Sequence, residues 1–202
     1  MNTKHRCLVL MACLALLPLP ACQSGDRLRY EAMDQPQNVM VNFHRSIAHG
    51  DREQFIGCFD TTAGPWRTLL DSLFDMARAA YLARQAIIDR FGSEAMEQPG
   101  MDLRSFQIVA PDWPQTLRYE PDEGGIRVHD PALNGRGPLL IPIAGEWRLV
   151  TAELSRDGTE RALELQIAAE RRNTDGLTEL RRYVLGEDPN LETVRDMIKH
   201  LR

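Results

Sequence analysis

His129 and Asp130 stand side by side just before Pro131, and an imidazole next to a carboxylate is a pair suited to moving a proton. They close a strand expected over 125–129, where both side chains are expected at the surface. Asp112 and Tyr119 are the other acid–base side chains expected on the strands. His44 and His49 lie five apart on one expected helix, about 140° round its axis, too far round to share a ligand or relay a proton, so both are expected at the surface or a helix end. His200 falls at the chain's C-terminal end. Cys58 sits between Ile56 and Phe59 on a short amphipathic segment, the place of a small buried hydrophobe. A reactive thiolate there would need a basic neighbour.

Sharper catalytic motifs are missing. There is no Gly-x-Ser-x-Gly, no His-Glu-x-x-His, no Cys-x-x-Cys, and no phosphate-cradling glycine loop before a helix. Asp130 opens a run that glances at a calcium loop, but Ala132 and Ile141 occupy its third and twelfth positions, so it fails. No cofactor and no metal site is therefore expected. Arg171-Arg172 and Arg181-Arg182 read as a solvated helix face, or else as a dock for an acidic partner or a cell-wall carboxylate. Trp66, Trp113 and Trp147 could line a pocket, but Trp66 and Trp147 fall on core-facing phases and core is the default reading.

The elements that must position these residues are helices, then strands, then helices. Asp34 is placed as an N-cap with Gln37 three residues on, followed by an amphipathic helix over 35–49 with Val39, Met40, Phe43 and Ile47 inward. Gly50 ends it, and Asp51 with Gln54 caps a short second helix. Pro65 opens the strongest helix, whose apolar residues recur at three and four from Trp66 to Phe91, where Gly92 stops it. At about 27 residues it would span roughly 40 Å. Strands are expected over 104–110, 115–120, 125–129, 138–143 and 146–152, with turns at Gly124-Gly125 and Ala144-Gly145. Leu139, Ile141 and Ile143 are placed on one face opposite Trp147 and Leu149, with Pro142 marking an edge strand or bulge. Helices follow over 159–172, 175–185 and 190–202, the last with Leu191, Val194, Ile198 and Leu201 on one side.

The 202 residues are 43% hydrophobic, 26% charged and 6% aromatic, which excludes a disordered chain, a collagen repeat and a multi-span membrane protein. Lys4 and Arg6 precede an apolar run of about 13 residues, too short for a ~20-residue span, and the pattern is that of a secretory signal. Leu19-Pro20-Ala21-Cys22 resembles the bacterial lipobox. That resemblance implies cleavage after residue 21, diacylglyceryl transfer to Cys22 and stable anchoring by acyl chains. Gln23 after the cysteine implies sorting to the outer membrane. Loss of residues 1–21 removes Lys4 and Arg6 and no acid, leaving 22 basic against 29 acidic side chains, a net −7. Such a surface argues against nucleic acid as a partner. Cys58 would then be the remaining thiol, with no intramolecular disulfide to form.

A helix ending in His49-Gly50-Asp51, a short and a long helix, and a meander closing on Gly145-Glu146-Trp147-Arg148-Leu149 together resemble the NTF2-like superfamily. The resemblance implies an α+β fold in which a curved antiparallel sheet wraps N-terminal helices in a cystatin-like cone with an apolar pocket. Residues 1–21 are then a signal peptide, 22–34 a lipidated tether, and 35–202 one domain. Within it, 35–152 is the NTF2-like part and 159–202 adds helices. The expected function is that of a non-enzymatic binding module of the cell envelope, held at the periplasmic face of the outer membrane through Cys22. It would take a small apolar ligand or another envelope protein. The alternative is a SnoaL-like isomerase or dehydratase using His129 or a buried aspartate.

Overall fold

The computed structural model describes residues 30–101, 108–131, 137–155 and 159–201. The expected signal, Cys22 and the tether up to residue 29 lie outside the described residues, as do residues 104–107 of the first expected strand. What is described is a mixed α+β protein with six α-helices and a four-stranded antiparallel sheet. Its helices are α1 (Pro36–His49), α2 (Arg52–Gly57), α3 (Pro65–Phe91), α4 (Trp113–Thr116), α5 (Glu160–Val184) and α6 (Leu191–His200). The sheet runs β1 (Arg118–Asp122), β2 (Gly125–His129), β3 (Leu139–Ile143), β4 (Glu146–Leu149), each strand beside the next.

Residues just ahead of α1 are docked on it. Glu31 and Asn42 exchange two bonds, the Glu31 amide to Asn42 Oδ1 at 2.9 Å and Asn42 Nδ2 to the Glu31 carbonyl at 2.8 Å. That exchange satisfies an asparagine buried in α1. Asp34 is not the N-cap; Gln35 is, without a side-chain bond, and Asp34 instead accepts from Asn38 Nδ2. Pro36 in the first turn already supplies a helical φ and lacks an orphan N–H. Gly50 adopts φ 77° to end α1, its amide bonding to the Ile47 carbonyl, and the Arg78 guanidinium of α3 donates to the Ile47 and Ala48 carbonyls at that end. Asp51 Oδ1 caps α2 by accepting from the Gln54 amide at 3.0 Å, as its spacing predicts.

The long helix α3 forms with the predicted bounds. Its most extensive helix–helix contact is with α5, which departs from expectation: two helices parted at Gly176 are one continuous helix of 25 residues. Gly176 lies inside it. A Cβ there would meet the end of the Leu201 side chain, just beyond α6, so the glycine faces a neighbouring element rather than ending the helix. Asn190 caps α6 through the Thr193 amide, and Val194 and Ile198 are fully buried on its inner face.

Four strands are described where five were expected. Residues 108–110 are helix, turn and bend, not strand. Residues 115–116 belong to α4, where Trp113 and Gln115 amides bond back to the Ala110 and Asp112 carbonyls and Pro114 favours the helical turn. The β1–β2 connection is Glu123-Gly124, one residue earlier than expected; Gly125 is already paired with Asp122, and a Cβ there would meet the Leu140 carbonyl. The β3–β4 turn is Ala144-Gly145, both left-handed with φ 50° and 87°, the geometry that matches strand twist in a two-residue hairpin.

Leu139, Ile141 and Ile143 share one face of β3, opposite that of Trp147 and Leu149, and it is the latter face that is buried. Leu140, paired with Leu149 and Ile126, is the buried residue, while Leu139, Ile141 and Ile143 point the other way and Ile143 is 40% exposed. Alternation alone could not fix this, since both faces of Leu-Leu-Ile-Pro-Ile are apolar. Nor is β3 an edge strand. Pro142 lies beyond the last residue that pairs with β2, so its missing N–H breaks no ladder bond. The outer edge of β4 is covered as well: the Trp147 and Leu149 amides donate to the Met33 and Cys58 carbonyls, and the Asp60 amide to Leu149.

Candidate functional site

Between the first three helices and the sheet lies an apolar cavity of about 390 Å³. That falls in the range usual for small-molecule sites, roughly 300–1,000 Å³. The sequence places its walls by simple means. Met40 and Phe43 come from α1, Phe55 from α2, Leu73, Met76 and Ala77 from successive turns of α3, and Val128 and Leu149 from the buried face of the sheet. Phe55 organises the aromatic side, with ring centroids 4.9 Å from Phe43, 5.5 Å from Phe59 and 5.3 Å from Phe74. Trp113 on α4 and Asp130 just past β2 complete the lining.

Asp130 is the one charged side chain among the described residues that line the cavity. Its Oδ2 accepts from Trp113 Nε1 at 2.7 Å. This bond satisfies the indole N–H of a tryptophan that is 8% exposed, and it holds α4 to the end of β2. The pleat separates the sequence-level pair. His129 turns to the other face, where Nε2 lies 3.4 Å from Glu120 Oε2, so imidazole and Asp130 carboxylate do not converge. Tyr119 shares the inward face with Val128, its register partner; its hydroxyl is buried with no partner among the described residues. Burial pushes its pKa up to about 12.

The remaining expected positions resolve as follows. Asp112 is exposed just ahead of α4. Cys58 is fully buried, its Sγ 3.4 Å from the Gln54 carbonyl, and burial pushes the thiol up to about 12 against a small opposing effect of Arg148. It is a core side chain in a setting that suppresses the thiolate. His200 is exposed with Nδ1 2.7 Å from the Asp196 carbonyl, and Arg171, Arg172, Arg181 and Arg182 are exposed on α5. Trp66 is half-buried outside the core cluster and Trp147 packs against it, whereas Trp113 is central. Trp147 thus keeps the core-facing phase read for it, whereas Trp66 does not reach the core cluster. Among the described residues no group of histidines, cysteines and carboxylates could hold a metal ion, and no helix is long and apolar enough to cross a membrane.

His44 was placed at a surface or helix end, but it is half-buried. Its ring centroid lies 6.4 Å from that of Trp113, and Nε2 is buried without a partner among the described residues. Burial lowers its pKa, and Arg84 adds to this, against the Val109 and Ala110 backbone and Asp112, which raise it. His44 and exposed His49 both border a groove of about 300 Å³ on the outer side of α4, so α4 is a thin wall between this groove and the cavity.

Fold and site together define a class: an α+β chain whose helices and sheet enclose an apolar cavity with one carboxylate on its wall. No protein-family model matches the chain, no curated protein is significantly similar to it, and no solved structure matches it significantly.

Proposed function

We propose that this protein is an exported, lipid-anchored binding module of the bacterial cell envelope that holds a small apolar ligand in its cavity. The cavity carries this reading: about 390 Å³ of apolar space, walled by rigid aromatic side chains, with one hydrogen-bonded carboxylate to orient a polar group. A four-strand meander against N-terminal helices is compatible with the NTF2-like cone, and α5 and α6 are additions to it. N-phenyl-1-naphthylamine, an apolar fluorophore of suitable size with one N–H donor, tests the site. The expected result is saturable enhancement at one site per chain; a linear, non-saturating response sinks the reading.

The anchor is tested separately by the intact mass of protein from native membranes, beside a Cys22→Ala variant. A mass beginning at residue 22 with added acyl chains, lost together with membrane association in the variant, is expected. A bare soluble mature chain would remove the anchor and with it the proposed place at the periplasmic face of the outer membrane. Asp130 and Tyr119 give a second reading, an isomerase or dehydratase, its specific support: both lie on the inward face of one hairpin. His129 has no part in that reading, because it faces away.

A further inference from the structure

His44 of α1, Trp113 of α4 and Asp130 after β2 form a chain of contacts from the outer groove to the cavity wall. Two features make its outer end a sensitive point. Nε2 of His44 is buried without a hydrogen-bond partner among the described residues, and the backbone of Val109 and Ala110, which faces the ring and favours its protonated form, is outweighed by the ring's burial. The surrounding charges favour the neutral ring on balance. Arg84 on α3 is itself half-buried, with Tyr81 beside it, while Arg78 is engaged with the end of α1. On α1, Arg45 pairs with Glu31 at 3.5 Å and His49 is exposed. Asp112, the facing acid, is exposed and therefore screened.

We propose that His44 is an acid-sensitive latch on the cavity: protonation of its ring loosens the contact between α1 and α4, frees Trp113 and releases the bound ligand. The ligand part of this rests on the cavity being a binding site; the movement of Trp113 does not. The sign follows from linkage. A histidine held neutral in the folded arrangement stabilises it fully above the unfolded value of about 6.5, and that stabilisation is lost as pH falls toward the lowered folded value. α4 is four residues long and forms the wall itself, so it is the element through which the latch can act.

The test compares the full chain with His44→Gln at about pH 7.5 and about pH 5, circular dichroism confirming that both stay folded. N-phenyl-1-naphthylamine affinity is expected to fall at least about fivefold in acid for the parent and to stay level in the variant. A second readout needs no ligand: acrylamide quenching of Trp113 in a background carrying Trp66→Phe and Trp147→Phe. Quenching should rise in acid with His44 present and stay constant with glutamine. If the fluorophore binds at neither pH but Trp113 still becomes accessible in acid, the latch stands and the cavity reading falls. If Trp113 quenching is independent of pH, or His44→Gln responds as the parent does, the latch is overturned. Global unfolding of the parent at about pH 5 would also overturn it, since a latch opens within a folded chain.

Discussion

Replacing Arg127 by methionine is expected to lower the free energy of unfolding by about 2–4 kcal/mol. Arg127 sits in mid-strand on β2 with a side chain only 4% exposed. Its guanidinium spans three parts of the chain. Nε donates to Asp122 Oδ2 at 2.9 Å, with Nη2 2.7 Å from the same oxygen; Nη1 donates to the Gly137 carbonyl at 2.9 Å, and Nη1 and Nη2 also reach the two oxygens of Glu153. It thus ties the end of β1, the approach to β3 and the turn after β4 into one unit. Methionine fills similar space but removes the arginine's bonds to two carboxylates and a carbonyl. Asp122 and Glu153 are 24% and 33% exposed, so water can partly replace the arginine, which keeps the loss below that of a fully buried pair. Arg127→Lys should recover part of the loss, since an ammonium keeps the charge but not the fork of parallel donors. Urea unfolding measures both, and adding Glu153→Gln to Arg127→Met should cost less than the two separate losses together. A midpoint unchanged by Arg127→Met would show that the clamp is dispensable.

Arg127 also shows where sequence reading stops. In Gly-Ile-Arg-Val-His it occupies the polar phase of an alternating strand, where arginine is normally solvated. Its burial depends on Glu153 and on the turn after β4, which no local pattern announces. Helices were more legible because the sequence states their terms locally: Pro65 and Gly92 punctuate α3, Asp51 caps α2, and Val194 and Ile198 mark the face of α6. Gly176 misled for the opposite reason. It faces Leu201, some 25 residues away in sequence, so a signal read as local was tertiary. The buried face of β3 was not legible because Leu139 and Leu140 are equally apolar, and only the pairing with Ile126 and Leu149 decides which is inside.

The site was legible in the same uneven way. Asp130 was picked out by its neighbour, yet the pleat sends His129 to the other face and gives Asp130 a different partner, Trp113, 17 residues earlier. Nothing in the spacing of Trp113 and Asp130 marks them as a pair; α4 must first bring the indole to the end of β2. His44 was misplaced because the helical wheel shows which side of α1 it occupies but not that residues 109–113 would cover that side.

Ala77→Phe is expected to weaken N-phenyl-1-naphthylamine binding by about tenfold or more while leaving stability unchanged or raising it by up to about 2 kcal/mol. Ala77 is on the cavity wall in the middle of α3, 7% exposed, and a benzyl group there would grow into space bordered by Phe43, Phe55 and Phe59. Side chains around empty apolar space forfeit dispersion contacts, so a sequence selected for stability alone would have gained by filling it. Alanine at this position, where α3 could carry leucine or phenylalanine, is what a fold keeps when the space has a use. The two measurements separate the cases. A gain in urea midpoint together with lost binding identifies the cavity as a site kept open at some cost in stability. A gain with binding at parent affinity means that the fluorophore sits elsewhere, and the cavity is then a packing defect. A large loss of stability would mean that the α3 wall is too close to the sheet to accept the ring, and the same binding comparison would be repeated with Ala77→Leu, a smaller addition to the same wall.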